Sequence, residues 1–159
     1  GVDAAVQIAG LPDEWFLAPA PLVGDPLYRP GYSDDDAAGD IGDSALVECC
    51  GLGAAASAAS PAVAAFLGGG LADAVAGTHQ MDAICIAESE RFGLPVLDGR
   101  GTPLGVDARA VVDLGYGPTV NTGILHARDG GQIGAGIARV PVAPFQEALV
   151  RLVESRAAA

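Results

Sequence analysis

Residues 119–140 have the sequence TVNTGILHARDGGQIGAGIARV, in which a polar turn joins two apolar runs. The runs are Thr119–His126 and Gln132–Val140, and the pair Gly130-Gly131 lies between them. A glycine-containing turn between two such runs is typical of a β-hairpin. The sequence therefore predicts an antiparallel hairpin over these residues.

Helical patterns lie on both sides of this predicted hairpin. Apolar residues at helical spacing, with Ser60-Pro61 as a start signal, predict helices over residues 54–59, 61–67, 71–90, 106–114 and 142–158. A strand is predicted over residues 4–9, residues 10–42 show neither a helical nor an alternating period, and residues 99–105 are predicted to form a polar loop. The predicted fold class is α+β or mixed α/β, with few strands and several Ala-rich helices.

Composition limits the size and the class of the protein. The 159 residues are half apolar, which suits a single domain over residues 1–159. Eight basic residues against 20 acidic ones give a net charge of −12, which argues against a nucleic-acid partner. All eight are Arg, so Schiff-base chemistry on Lys is excluded and guanidinium is the only fixed cation.

Cysteine usage and hydropathy predict the compartment. The three cysteines are an odd number, and adjacent Cys49 and Cys50 rarely bridge each other, which suits a reducing environment. No apolar run reaches the 18 residues that a membrane helix needs, and no basic segment opens the chain. We therefore predict a cytoplasmic protein without a membrane partner.

A cluster of carboxylates precedes the Ala-rich region. Asp40, Asp43 and Glu48 lie within nine residues, beside a glycine bend. Such a cluster could supply a general base or bind an amide. Equally, Asp43 could cap the following helix while the other acids face water.

The segment Gly99-Arg100-Gly101-Thr102 places a guanidinium between two residues without side chains. A carboxylate or phosphate could reach both Arg100 and the backbone amides there, with the Thr102 hydroxyl beside it. The alternative is that Arg100 ties the loop to one of the many acids.

The predicted hairpin carries polar side chains where a strand core needs none: Asn121, Thr122, His126 and Gln132. They are candidates for contact with a ligand. His126 is the best general acid–base candidate because the ordinary pKa of imidazole lies near neutrality. The alternative is that His126 is a hydrogen-bonded residue at a strand end without a catalytic role. The other histidine, His79, is predicted to be structural.

No pattern predicts a metal or a cofactor. The two histidines are more than forty residues apart and the Cys-Cys pair matches no zinc spacing. The glycine strings match neither a dinucleotide fingerprint nor a Walker A loop, which would need a Lys.

Several of these stretches together resemble a known family. They are Gly10–Phe16, Gly39–Ser44, Asp98–Pro103, Asn121–Ile124 and Gly131–Gly136. They look like the C-terminal part of the bacterial YlbE-like family, which includes a subunit of oxamate carbamoyltransferase. The resemblance implies a multi-subunit enzyme that moves a carbamoyl group between oxamate and phosphate, with a companion of succinyl-CoA-synthetase-like type. Because family members are much longer, it also implies a partner chain that carries the N-terminal half.

The function expected from these observations is a subunit of an enzyme that acts on amide or carbamoyl groups of a small anionic nitrogen compound. Arg100 and Thr102 would hold the substrate's anionic group, and backbone amides near Gly123 and Gly134 would stabilise an oxyanion. Two alternatives stay open: an amidohydrolase of a cyclic or linear amide, and a non-catalytic assembly subunit. The remaining candidates divide into groups that orient the amide (Asn121, Thr122, Gln132) and groups that move the proton (His126, Asp43 or Glu48, with Asp40 as a further option).

Overall fold

The structure is a computed structural model that describes residues 3–39, 45–66 and 69–157. The fold is α+β, as the sequence predicts. Its helices are α1 (Ala45–Glu48), α2 (Pro61–Phe66), α3 (Leu71–Ala83), α4 (Ala108–Leu114) and α5 (Ala143–Ala157). Its strands are β1 (Asp3–Val6), β2 (Phe16–Pro19), β3 (Gly24–Tyr28), β4 (Cys85–Gly93), β5 (Gly101–Val106), β6 (Thr119–Leu125) and β7 (Gln132–Arg139). Short 3₁₀ helices span Asp34–Asp36, Gly53–Ala59 and Pro95–Leu97.

The predicted hairpin forms the centre of the fold. Strands β6 and β7 pair antiparallel from Thr119 opposite Arg139 to Leu125 opposite Gln132, with a register shift near the turn. Strand β3 adds to the other side of β7, which gives the sheet order β3-β7-β6. The structure confirms the predicted hairpin. The sequence could predict it because the turn and both strands are encoded locally.

Alternate side chains of β6 point into the main core. Val120 and Ile124 are fully buried and belong to the main core, together with Val111 from α4 and Phe145 from α5. Since side chains alternate along a strand, Thr119, Asn121 and Gly123 point to the opposite face. Helix α1 and the 3₁₀ helix Gly53–Ala59 also contact β6, and Ala55 of this 3₁₀ helix belongs to the same core as Val120 and Ile124.

The predicted helix over residues 71–90 is wrong in its second half. Helix α3 ends at Ala83, and Cys85–Gly93 forms strand β4, which pairs antiparallel with β5. The predicted loop over residues 99–105 therefore also contains a strand. The cause is pairing between distant residues, which local periodicity does not show. Gly101 allows the close approach, because a Cβ there would lie 2.2 Å from the Ser89 carbonyl oxygen.

The remaining predictions differ from the structure mainly at their ends and in residues 10–42. That segment, which has no clear period, contains the short strands β2 and β3. Both contain proline, which is tolerated at sheet edges. Strand β1 ends at Val6, residues 53–59 form a 3₁₀ helix, and α4 begins at Ala108. No helix in the described ranges is long and apolar enough to cross a membrane.

Candidate functional site

Glu48 is the most heavily engaged of the predicted site residues. Its side chain is buried, with 2% of its surface exposed. One carboxylate oxygen, Oε2, accepts hydrogen bonds from the backbone N–H groups of Ala54 and Ala55. The other, Oε1, accepts the Asn121 N–H at 3.0 Å. Glu48 therefore joins α1 to the 3₁₀ helix Gly53–Ala59 and to strand β6.

The protonation of Glu48 reflects two opposing effects. Burial raises its pKa to about 7, because a carboxylate loses its hydration inside the protein. The three backbone N–H groups act in the other direction, since they favour the charged form, but they do not cancel the effect of burial. Glu48 can consequently hold a proton near neutral pH, although its contacts leave little room for a substrate.

Thr102 lies beside the same region, at the start of β5. It is buried, and its hydroxyl oxygen has no hydrogen-bond partner among the described residues. Its neighbour across the gap is Gly51, where a Cβ would lie 2.5 Å from the Thr102 hydroxyl and the backbone φ is +80°. Glycine is therefore required at position 51.

The polar residues of the hairpin do not share one face. Thr122 is buried on the core face, and its hydroxyl donates to the Gly123 carbonyl at 3.1 Å. The Asn121 side chain lies on the opposite face by alternation along β6, and its backbone N–H donates to Glu48. The Gln132 amide lies against Gly123 and donates to the Gly134 carbonyl at 3.1 Å. These three side chains therefore do not converge on one ligand.

His126 lies at the other end of β6, where the hairpin turns. Its Nδ1 is 2.9 Å from Oδ1 of Asp129, and the His126 side chain is 15% exposed while that of Asp129 is 73% exposed. The ring of Tyr32 meets the imidazole edge-on at 5.9 Å. The Gly131 N–H, followed by the His126 ring, holds the pKa of Asp129 below its ordinary value.

Glu48 and His126 cannot act on the same atom. The backbone of Asn121 contacts Glu48, and His126 follows five residues later along an extended strand. At about 3.3 Å per residue, the two ends are separated by roughly 16 Å. The structure thus divides the proton-moving candidates between two places.

Arg100 lies on the β4–β5 hairpin and is already paired. Its guanidinium contacts Asp82 at 2.8 Å and also Glu88. These two carboxylates raise the pKa of Arg100, with Glu88 as the larger cause. An incoming anion would have to compete with both of them.

Asp40 and Asp43 lie outside the described residues. Within the described residues, no three His, Cys, Asp or Glu side chains are grouped closely enough to hold a metal ion.

A groove that the sequence analysis missed lies near the Glu48 end of β6. It has a volume of about 1240 Å³ and runs between α3 with the 3₁₀ helix Gly53–Ala59 on one side and strands β3 and β7 on the other. Arg139 and Asp25 both line it. Arg139 lies directly opposite Thr119, so the two side chains share a face of the sheet. The alternation of side chains along β7 in the sequence is enough to predict this placement.

Comparison with known proteins adds an independent observation. Residues 1–44 match the model of a family described as AllG, oxamate carbamoyltransferase subunit AllG. The chain is 42% identical over 154 residues to the oxamate carbamoyltransferase subunit AllG of Escherichia coli K12, covering 94% of this chain and 36% of that protein. It is 38% identical over 151 residues to the uncharacterized protein YahG of the same organism, covering 94% of this chain and 32% of that protein.

A solved structure is similar as well. The crystal structure of a conserved protein of unknown function from Enterococcus faecalis V583 superimposes with a TM-score of 0.89 at 39% identity, covering 96% of this chain and 37% of that one. The chain thus spans about a third of the length of the curated relatives it matches. These matches support the resemblance to an oxamate carbamoyltransferase subunit, while the YlbE-like name and the C-terminal placement stay predictions.

Proposed function

We propose that this chain is part of a subunit of an enzyme that transfers carbamoyl groups to or from a small anionic amide such as oxamate. The observation that carries the proposal is the 42% identity to an oxamate carbamoyltransferase subunit over almost the whole chain. The further partners expected from the sequence, including a chain with the N-terminal half, belong to the same proposal.

We assign to His126 the role of proton acceptor in this reaction. Attack by the amide nitrogen of oxamate on the carbonyl carbon of carbamoyl phosphate forms a C–N bond. The C–O bond to phosphate breaks, phosphate leaves with the electron pair, and the nitrogen gives up one proton. The Asp129 carboxylate beside Nδ1 fixes the orientation of the His126 ring, so that the proton would pass to Nε2.

Glu48 acts in this proposal as a positioning residue. Its carboxylate is used by three backbone N–H groups and is 2% exposed. It would keep Asn121 and the start of the 3₁₀ helix in place rather than touch the substrate. Arg100, with two carboxylates already beside it, would likewise stabilise the β4–β5 hairpin.

A non-catalytic assembly role is the rival, and one observation favours it. Large apolar side chains around β2 are exposed: Trp15 by 59%, Leu17 by 57% and Leu22 by 54%. Such side chains are typical of surfaces that contact another protein. The other alternative, hydrolysis of a cyclic or linear amide with water as the acceptor, would use the same His126.

The test is carbamoyl transfer by the assembly that co-purifies with the protein. Carbamoyl phosphate and oxamate are supplied, and both phosphate release and the carbamoylated product are measured. We expect His126→Gln to lower kcat by about 10²- to 10⁴-fold with little change in KM. The matched control is His79→Gln, because His79 is the other histidine and is exposed on α3.

The outcomes separate the three readings. Wild-type turnover by His126→Gln would contradict its role in proton transfer and favour the assembly role. In the same assay without carbamoyl phosphate, release of ammonia from oxamate would identify an amidohydrolase. Absence of both reactions in the complete assembly would overturn the proposed function.

A further inference from the structure

One face of the central sheet carries exposed apolar side chains. Leu27 of β3 pairs with Ala135 of β7, so alternation along β7 places Ile137 and Arg139 on the same face as Leu27. Leu27 is 41% exposed and Ile137 is 39% exposed. Both line the groove described above, and α3 with the 3₁₀ helix Gly53–Ala59 forms its other wall. The groove therefore has an apolar side that faces a helix.

Three charged side chains line the groove among the described residues: Asp25, Asp73 and Arg139. Asp73 is already used at the start of α3, where its carboxylate accepts the Gly70 N–H at 2.7 Å. Arg139 donates to two neutral oxygens, the Gly117 carbonyl at 3.1 Å and the Gln80 side chain at 2.8 Å. Neither Arg139 nor Asp25 forms an ion pair within the described part of the chain. Both charges are therefore available to a partner of opposite sign.

The dimensions of the groove favour a polypeptide over a small molecule. Its volume of about 1240 Å³ exceeds the roughly 300 to 1,000 Å³ of small-molecule clefts. Asp25 belongs to β3, whereas the Arg139 guanidinium is held at Gly117, just before β6. Strands β3 and β6 lie on opposite sides of β7, about 10 Å apart. An α-helix is about 10–12 Å wide, so one helix can meet both groups.

Helix α3 contains a glycine that its own surroundings do not require. A Cβ at Gly77 would meet no heavy atom of the described residues within 4 Å beyond its own helix, and Gly77 lines the groove. Glycine in a helix interior is destabilising relative to alanine. Ala74 and Ala76 line the groove beside it. A neighbour that packs closely from outside the chain would explain why this side of α3 has such small side chains.

The length of the curated relatives supplies this neighbour. The chain spans 36% and 32% of them, so about two-thirds of each has no counterpart here. We propose that the groove is the docking site of a helix from that other part of the subunit. The helix would place apolar side chains on Leu27 and Ile137, a carboxylate at Arg139 and an N–H-bearing side chain at Asp25. The inference uses the partner polypeptide of the proposed function, but neither His126 nor carbamoyl transfer.

Photo-crosslinking in the complete subunit, in which this chain is accompanied by the remaining part, identifies the occupant. Benzoylphenylalanine is introduced in place of Leu27, the purified subunit is irradiated, and the cross-linked peptides are sequenced by mass spectrometry. We expect a peptide from outside residues 1–159, with apolar residues at helical spacing and at least one Asp or Glu. The matched control carries the probe in place of Leu114, which is 50% exposed on α4 outside the groove, and should not capture that peptide.

Gly77→Trp tests the close approach to α3, because the space at this position is open in the chain itself. It should lower the yield of the Leu27 cross-link at least tenfold. Ala72→Trp, at an exposed position of α3 outside the groove, is the control and should leave the yield unchanged. Circular dichroism of each variant checks its folding.

Arg139→Glu tests the predicted carboxylate of the helix. It should lower the cross-link yield about tenfold, as the loss of a charge-assisted contact implies. Changing the Asp or Glu of the captured peptide to Arg should then restore the yield.

Three results would overturn the docking site. One is capture of groove residues alone, with no second segment. Another is a covalent dimer linked through residues 1–159, which would mean that a second copy of this chain covers the groove. The third is an unchanged cross-link in Gly77→Trp; if this variant does not fold, Arg139→Glu and its rescue decide. Absence of carbamoyl transfer in a subunit with the cross-link intact would contradict the proposed function and leave this inference standing.

Discussion

Two titratable sites lie near opposite ends of strand β6, and they differ in burial and in their hydrogen-bond partners. At the Asn121 end, the Glu48 carboxylate is buried and accepts three backbone N–H groups. At the turn, His126 contacts Asp129, whose side chain is largely exposed. A buried group with all its partners inside the protein contributes to the fold, whereas a partly exposed pair remains accessible to a substrate. The comparison teaches that nearness to neutral pKa does not by itself identify the reactive group.

The largest effect is expected from removing Glu48. Glu48→Ala leaves three backbone N–H groups without their acceptor and should lower the free energy of unfolding by about 3 to 5 kcal/mol. Denaturant unfolding followed by circular dichroism measures this. Glu147→Ala, on the exposed side of α5, is the control and should stay within about 0.5 kcal/mol of wild type. A loss below about 1 kcal/mol for Glu48→Ala would show that the network does not support the fold.

A second effect concerns pH. The pKa of Glu48 is raised from 4.5 to about 7 in the folded protein, so the folded state binds this proton more tightly than the unfolded state. Its contribution to stability is therefore fully present below about pH 4.5 and is lost as pH rises to about 7. The pKa differs by about 2.5 units between the two states, and at about 1.4 kcal/mol per unit the change is at most roughly 3 to 4 kcal/mol.

The measurement is the unfolding free energy between pH 4.5 and 8, taken as the difference between wild type and Glu48→Gln. The difference removes the contributions of the other acids, which both proteins share. A difference that is flat across this range, or that rises with pH, would contradict the buried, proton-holding description of Glu48.

The smallest effect on stability is expected at the turn. Asp129→Asn removes the charge beside His126 but keeps an oxygen for the Gly131 N–H, which the Asp129 carboxylate accepts at 2.9 Å. The pKa of Asp129 is lower in the folded protein than in the unfolded chain. The Asp129 carboxylate therefore stabilises the fold at pH values above the unfolded-state pKa, and this stabilisation is lost as the pH falls through the folded-state pKa. Thermal melts at neutral pH should move little, by less than those of Glu48→Ala. An equal loss in the two variants would remove the distinction between the two ends.

The sequence was informative where structure is local. The turn Gly130-Gly131 and its flanking runs predict the hairpin, and Asp107 before α4 caps that helix by accepting from the Arg109 N–H. The pairing of β4 with β5 could not be predicted, because β4 follows α3 without a break in its apolar pattern and owes its conformation to a distant partner.

The candidate site shows the same limit. Residue type alone singled out Glu48 and His126, but their separation follows from the direction of β6. Arg100 is engaged by acids 12 and 18 residues away in sequence, which composition could suggest but not assign. Arg139 was missed because the groove that contains it is formed by elements from three parts of the chain.

The exposed indole of Trp15 determines what fluorescence can report. It is the only tryptophan, and 59% of its surface already contacts solvent before unfolding. Its emission will therefore change little when the protein denatures, and Trp15 is not among the residues that line the groove. The same indole would shift to shorter wavelength when another polypeptide covers β2. Intrinsic fluorescence is thus a poor record of folding in this protein and a direct optical signal for assembly.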